Sequence, residues 1–84
     1  MADIKIGKVT HYFSKIGVAV LELQDSIKIG DRIALLSKKG ERFEQIVESM
    51  QIEKTQINEA KAGQSVGIKV IQEPKKNSDV FKVS

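Results

Sequence analysis

At 84 residues the chain amounts to one domain, residues 1–84, and with no cysteine and a single histidine it has no disulfide and no thiolate zinc site to hold it together. Fourteen basic residues against eleven acidic ones give a net charge of +3, and twelve of the fourteen are lysine, so planar guanidinium recognition is scarce while diffuse attraction to phosphate stays open. No apolar run approaches the roughly 20 residues of a membrane helix, and the start Met1-Ala2-Asp3-Ile4 lacks the segments of a secretion signal, which makes a soluble cytoplasmic protein the expectation.

Ile4–Phe13 is rich in β-branched and aromatic residues and reads as a strand. Its apolar parity changes at Gly7, which predicts a bulge or bend there. The stretch 14–17 is a turn ending on Gly17, and Val18–Leu23 is a nearly continuous apolar strand covered on much of both faces. A break at 24–26 leads to Ile27-Lys28-Ile29-Gly30-Asp31, where Gly30 marks a tight turn and Asp31 can bond within it. Arg32–Leu36 is a strand, 37–41 a charged hairpin loop, and 42–52 a long strand with an irregularity, since its apolar positions fit neither period.

The polar stretch 53–62 suits one helical turn with Ile57 and Ala60 inward, ended by Gly63. Residues 65–71 form a strand whose Gly67 marks a bulge or a close backbone approach. Pro74 stops it, 74–78 is a loop, and 80–83 closes the chain as a last strand. The expected fold is all-β: a small closed antiparallel Greek-key-like barrel of six to seven strands. Its core is drawn from Ile6, Val9, Val18, Val20, Leu21, Leu23, Ile33, Leu35, Val47, Met50, Val66, Ile68 and Val70.

Three segments in order carry a resemblance. Gly17-Val18-Ala19-Val20 followed by Ile27-Lys28-Ile29-Gly30-Asp31-Arg32-Ile33 resembles the G-x-x-x…h-x-x-G-D-x-h signature of the domain II β-barrel of translational GTPases. Val47-Glu48-Ser49-Met50-Gln51-Ile52 is similar to that family's V-x-S-h-x-h strand, and Ala62-Gly63-Gln64-Ser65-Val66-Gly67-Ile68 to its A/P-G-x-x-V-G-h strand entry. The chain also looks like small stand-alone proteins described as translation elongation factor-like. The resemblance implies a non-catalytic, translation-factor-like binding module that docks on ribosomal RNA, transfer RNA or a translation protein. The family positions that help hold the aminoacyl end of transfer RNA fall on Glu53 and Ser65 here, so that pocket is not carried over. No G-x-x-x-x-G-K-[ST] stretch is present, so GTP hydrolysis is not expected of this chain.

No catalytic constellation or cofactor motif emerges. His11 has no second histidine, thiol or linked nucleophile near it in sequence and reads as an ordinary strand residue, and the carboxylates are interleaved with lysines. No enzyme activity, metal or cofactor is expected. The candidate RNA or partner contacts are Lys8, Tyr12, Lys15, Lys38, Lys39, Arg42, Lys75 and Lys76, with Tyr12 as the exposed aromatic and Phe13 and Phe81 in the core. Gly17, Gly30, Asp31, Gly63 and Gly67 are assigned to turns and bends. The alternative reading is a protein–protein interaction or accessory module attached to an unrelated enzyme or pathway.

Overall fold

The computed structural model describes residues 3–83. Ten strands follow in chain order: β1 Ile4–Phe13, β2 Val18–Leu23, β3 Ile27–Lys28, β4 Arg32–Leu36, β5 Arg42–Ile46, β6 Met50–Ile52, β7 Thr55–Ile57, β8 Glu59–Ala60, β9 Ser65–Lys69 and β10 Asp79–Lys82. All pairings are antiparallel. Eight strands form one sheet in the order β5-β4-β10-β1-β2-β9-β6-β7, and β3 pairs with β8 in a separate two-stranded ribbon. No described helix is long and apolar enough to cross a membrane.

The sheet order has two ends, β5 and β7, so backbone pairing does not draw the closed barrel expected from the sequence. The expected strand over 42–52 is divided in two. Its first half, β5, pairs with β4, and its second half, β6, pairs with β9. Between them the Val47 amide donates to the Asp31 carbonyl at 2.9 Å and the Gly30 amide to the Val47 carbonyl at 2.9 Å, which pulls the chain off β4 at the turn before that strand. This change of partner is the irregularity in the apolar pattern.

Across the gap between β5 and the end of β9, the Gln45 side chain takes the place of a backbone peptide. Its Nε2 donates to the Lys69 carbonyl at 2.8 Å, and its Oε1 accepts from the Ile71 amide at 2.9 Å.

The core gathers Ile6, Val9, Ala19, Leu21, Leu23, Ile27, Ile33, Leu35, Val47, Met50, Ala60, Val66, Ile68, Val70 and Val80. Two expectations change sides. Val18 and Val20 are half-buried and outward, while Ala19 between them is fully buried. β1 slips register twice, once between Lys5 and Gly7 as expected and again between Val9 and His11. A one-residue slip exchanges the two faces of a strand. Tyr12 therefore packs against the core, and Phe13 stands 47% exposed.

The expected helical turn is instead a two-residue hairpin. Ile52 pairs with Thr55, and Glu53 and Lys54 have φ of 50° and 67°, the left-handed pair of a tight primed turn. Neither residue type announces that conformation. Ala60 is buried and Ile57 half-buried against the core, inward as expected.

Candidate interaction surface

Three connections meet at one end of the sheet: the turn 14–17, the hairpin loop 37–41 and the loop 70–78. Ser37 shapes the hairpin loop, its Oγ accepting from the amides of Lys39 at 3.2 Å and Glu41 at 3.0 Å. Pro74 is buried and pins the long loop, and the Ser78 hydroxyl donates to the Lys75 carbonyl. Lys75 and Lys76 are thereby set on opposite sides of the buried proline, both exposed.

Each lysine faces a different depression. Lys75 shares one with Arg42, Ser37 and Glu41. Lys76 shares the other, about 340 Å³, with His11, Tyr12, Ser14 and Glu73. Of the expected contact residues, Arg42 and Lys75 are thus brought together, as are Tyr12 and Lys76. Lys15 belongs to the neighbouring turn, and Lys38 and Lys39 crown the hairpin. Lys8 stands farther along β1, opposite Glu22 of β2.

Not all of these cations are at liberty. Arg42 donates to Asp3 at 3.1 Å and to Glu44 at 3.0 Å. The hydrogen bond it donates to Glu44 and then the one it donates to Asp3 raise the guanidinium above its ordinary range, and the Arg42 hydrogen bond in turn holds the Glu44 carboxyl below its own. Arg42 is a cross-brace between the chain start and β5. Lys38 lies 3.9 Å from Asp79, which also holds Lys5 at 3.2 Å. Lys8, Lys15, Lys39, Lys75 and Lys76 have no carboxylate within 4.0 Å among the described residues.

The residues assigned to turns are where backbone geometry needs them. Gly30 has φ of 95°, and the Asp31 carboxylate accepts the Lys28 amide at 2.9 Å, closing the turn. Gly17 and Gly63 also have positive φ, 65° and 89°. Gly67 marks no bulge. Nor does another backbone approach it: the neighbour is a side chain, and a Cβ at Gly67 would lie 3.0 Å from Val18 Cγ1 on the outer face.

That missing side chain opens a feature the sequence reading did not find. A groove of about 370 Å³ runs over Gly67, walled by Phe13, Ile16, Val18, Val20 and Gln51, with the Glu53–Lys54 turn at its rim. The His11 ring stands edge-on to Phe13, centroids 4.4 Å apart and planes at 63°. The signal was available in the two apolar parities of Val18–Leu23. It was read as burial of both faces.

Among the described residues no group of three or more His, Asp or Glu gathers closely enough to hold a metal ion. The Arg42–Glu44–Asp3 cluster is a surface ion-pair network, its side chains 33–37% exposed, and not a proton-transfer pair.

No protein-family model matches the chain. A curated relative, described as an uncharacterized protease of Methanocaldococcus jannaschii, is 40% identical over 67 residues. Those residues make up 80% of this chain and 16% of the relative, so the chain spans about a sixth of that protein's length. Among solved structures, the C-terminal domain of a U32 peptidase from Geobacillus thermoleovorans superimposes with a TM-score of 0.88 at 22% identity, covering 96% of this chain and 93% of that one. The selenomethionine variant of that domain gives 0.82 at 22% identity, covering 94% and 98%.

These findings overturn the expected kinship with domain II of translational GTPases and with elongation factor-like proteins. The three segments behind that resemblance are a Gly-Asp turn, a strand that changes partner and a glycine-flanked strand entry. Each does a folding task that any small all-β domain of this shape needs.

Proposed function

We propose that the chain is a non-catalytic accessory module that works with a larger U32 peptidase-like body, in the same polypeptide or as a separate subunit. The observation that carries this is the 40% match over 67 residues to one-sixth of a protein described as a protease, joined to near-complete superposition on domains described as the C-terminal part of a U32 peptidase. The described residues offer binding grooves and a rim of lysines, which suits a positioning part. We also propose that the eight-stranded sheet rolls into a cylinder. The chain 42–52 pairs with β4 at one end and β9 at the other, and the Gln45 carboxamide bridges the seam between them.

The test is association. A tagged copy of the chain expressed in its host is recovered under moderate salt, and the polypeptides attached to it are identified. A U32 peptidase-like body in stoichiometric amount is the expected result. A chain recovered alone, in no polypeptide carrying such a body, refutes the reading.

A second reading is favoured by those lysines of the expected contact set that have no carboxylate within 4.0 Å among the described residues. Lys15, Lys39, Lys75 and Lys76 crowd one end of the sheet and form a rim able to meet a phosphate-bearing partner, nucleic acid included. Binding to a polyanion that weakens steeply with salt, and that disappears in Lys39→Glu/Lys75→Glu/Lys76→Glu, supports it. Binding unaffected by those changes refutes it.

A further inference from the structure

The outer face of β1, β2 and β9 carries a continuous apolar belt. Phe13 pairs across the strands with Val18, and His11 with Val20. Val20 then faces Gly67, and Val18 faces Lys69. The Val70 amide donates to the Gly17 carbonyl at 2.9 Å, which extends that register by one step, with Ile16 and Ile71 next along the two chains. Ile71 in turn shares a groove of about 400 Å³ with Ile46 across the Gln45 seam. Phe13, Ile16, Ile46 and Ile71 are 47%, 59%, 46% and 70% exposed, four of six such large apolar residues among those described. Single exposed apolar residues are ordinary, but a run joined edge to edge marks a surface that another surface covers.

Lys69 decides what kind of surface that is. It projects from β9 in the middle of the belt and lines both the seam groove, which Glu48 also borders, and the shallow pocket beside Val18, Met50 and Gln51. No carboxylate lies within 4.0 Å of it among the described residues. A purely apolar cover would bury that ammonium unpaired, which is strongly unfavourable. A second copy meeting the belt about a two-fold axis that passes through Lys69 would set the two ammonium groups against each other, like charge against like. A nucleic acid would satisfy Lys69 but gain little from three isoleucines and a phenylalanine. The complement is therefore an apolar protein surface carrying one acidic side chain, with a projecting side chain to enter the trough over Gly67.

We infer that this belt is the face by which the module docks on the U32 peptidase-like body, with Lys69 paired to a carboxylate of that body. The inference rests on the functional reading above and adds the face and its chemistry. The rim of lysines lies beyond the belt, at the end of the sheet, and stays open to solvent in this arrangement.

Site-specific photocrosslinking of the intact chain in its host tests it. p-Benzoylphenylalanine is placed in turn at Ile16, in the belt, at Lys39, on the lysine rim, and at Lys61, in the exposed loop before β9. Crosslinks to the peptidase-like body from position 16 and not from 39 or 61 are expected, and Lys69→Glu should lower their yield at least tenfold. Crosslinks to the body from 39 or 61 but not from 16 overturn the docking face and leave the accessory-module reading standing. Crosslinks from 16 that join only two copies of this chain overturn the choice of occupant. No crosslink to such a body from any position overturns both readings. A yield from position 16 indifferent to Lys69→Glu removes the carboxylate partner.

Discussion

Replacing Gln45 by alanine opens the seam between β5 and the end of β9. The side chain is 9% exposed and supplies the partner of one backbone carbonyl and one backbone amide. Each such bond contributes about 0.5–1.5 kcal/mol net, and water entering the seam groove re-satisfies part of what is lost, so the expected cost is about 2 kcal/mol. In a domain of this size that lowers the melting temperature by roughly 8–16 °C.

Gln45→Glu separates the donor from the acceptor at nearly constant volume. Its carboxylate still accepts from Ile71 but turns lone pairs on the Lys69 carbonyl. Protonation restores the donor, so the folded state binds that proton more tightly than the unfolded chain does. The deficit relative to wild type should be small at low pH and grow as pH rises through the new group's folded pKa. Thermal melts followed by circular dichroism at pH 4 and pH 7 read both effects. An alanine variant that melts within about 2 °C of wild type, or a glutamate variant whose deficit is the same at both pH values, refutes the bridging role.

Glu44 has its carboxyl held below its ordinary value by Arg42, so its stabilising effect is complete above about pH 4.5 and is lost as pH falls through the lowered folded value. Glu44→Gln should therefore leave a flatter acid limb in a stability–pH profile between roughly pH 5 and 3, and an unchanged limb rules this out. Leu21→Ala should cost about 2–5 kcal/mol, whereas Val20→Ser, on the half-buried outer face, should cost about 1 kcal/mol or less; equal costs in urea unfolding would contradict the assigned faces. Gly30→Ala meets no atom within 4 Å, so its cost is backbone strain alone at φ of 95°. Chemical denaturation should show about 1–2 kcal/mol, and no loss would contradict the left-handed turn.

How much was legible depended on whether a residue's conformation is announced by its type. β1, β2 and β4 are apolar stretches bounded by turn residues, and their limits in the structure are those read from the sequence. Gly17, Gly30 and Gly63 were assigned to turns and bends, and all three have positive φ. Glu53 and Lys54 adopt it too, but glutamate and lysine are ordinary helix formers, so local propensity pointed to a helical turn and tertiary pairing of β6 with β7 prevailed. Tyr12 and Phe13 were assigned to faces by alternation, which holds only between bulges, and Val18 and Val20 were placed inside because both parities of their strand are apolar.

The Gln45 bridge joins residues 24 and 26 positions apart, and nothing in a single sequence marks it. The groove over Gly67 is formed by a side chain that is absent, and the glycine was read as a bulge or a close backbone approach. The candidate lysines were visible as charges. Which of them are tied down, Arg42 above all, depended on where Asp3, Glu44 and Asp79 fall in three dimensions.

The second slip of β1, beside Thr10, makes surface character a matter of counting along the backbone. Thr10 itself is held by its hydroxyl on the Val20 carbonyl at 3.3 Å. Deleting that single amino acid would restore strict alternation and exchange the environments of Tyr12 and Phe13, with no change of side-chain identity at either position. A lineage could thus trade an oily exterior for a hydroxylated one through an indel of one codon, without first redesigning the interior.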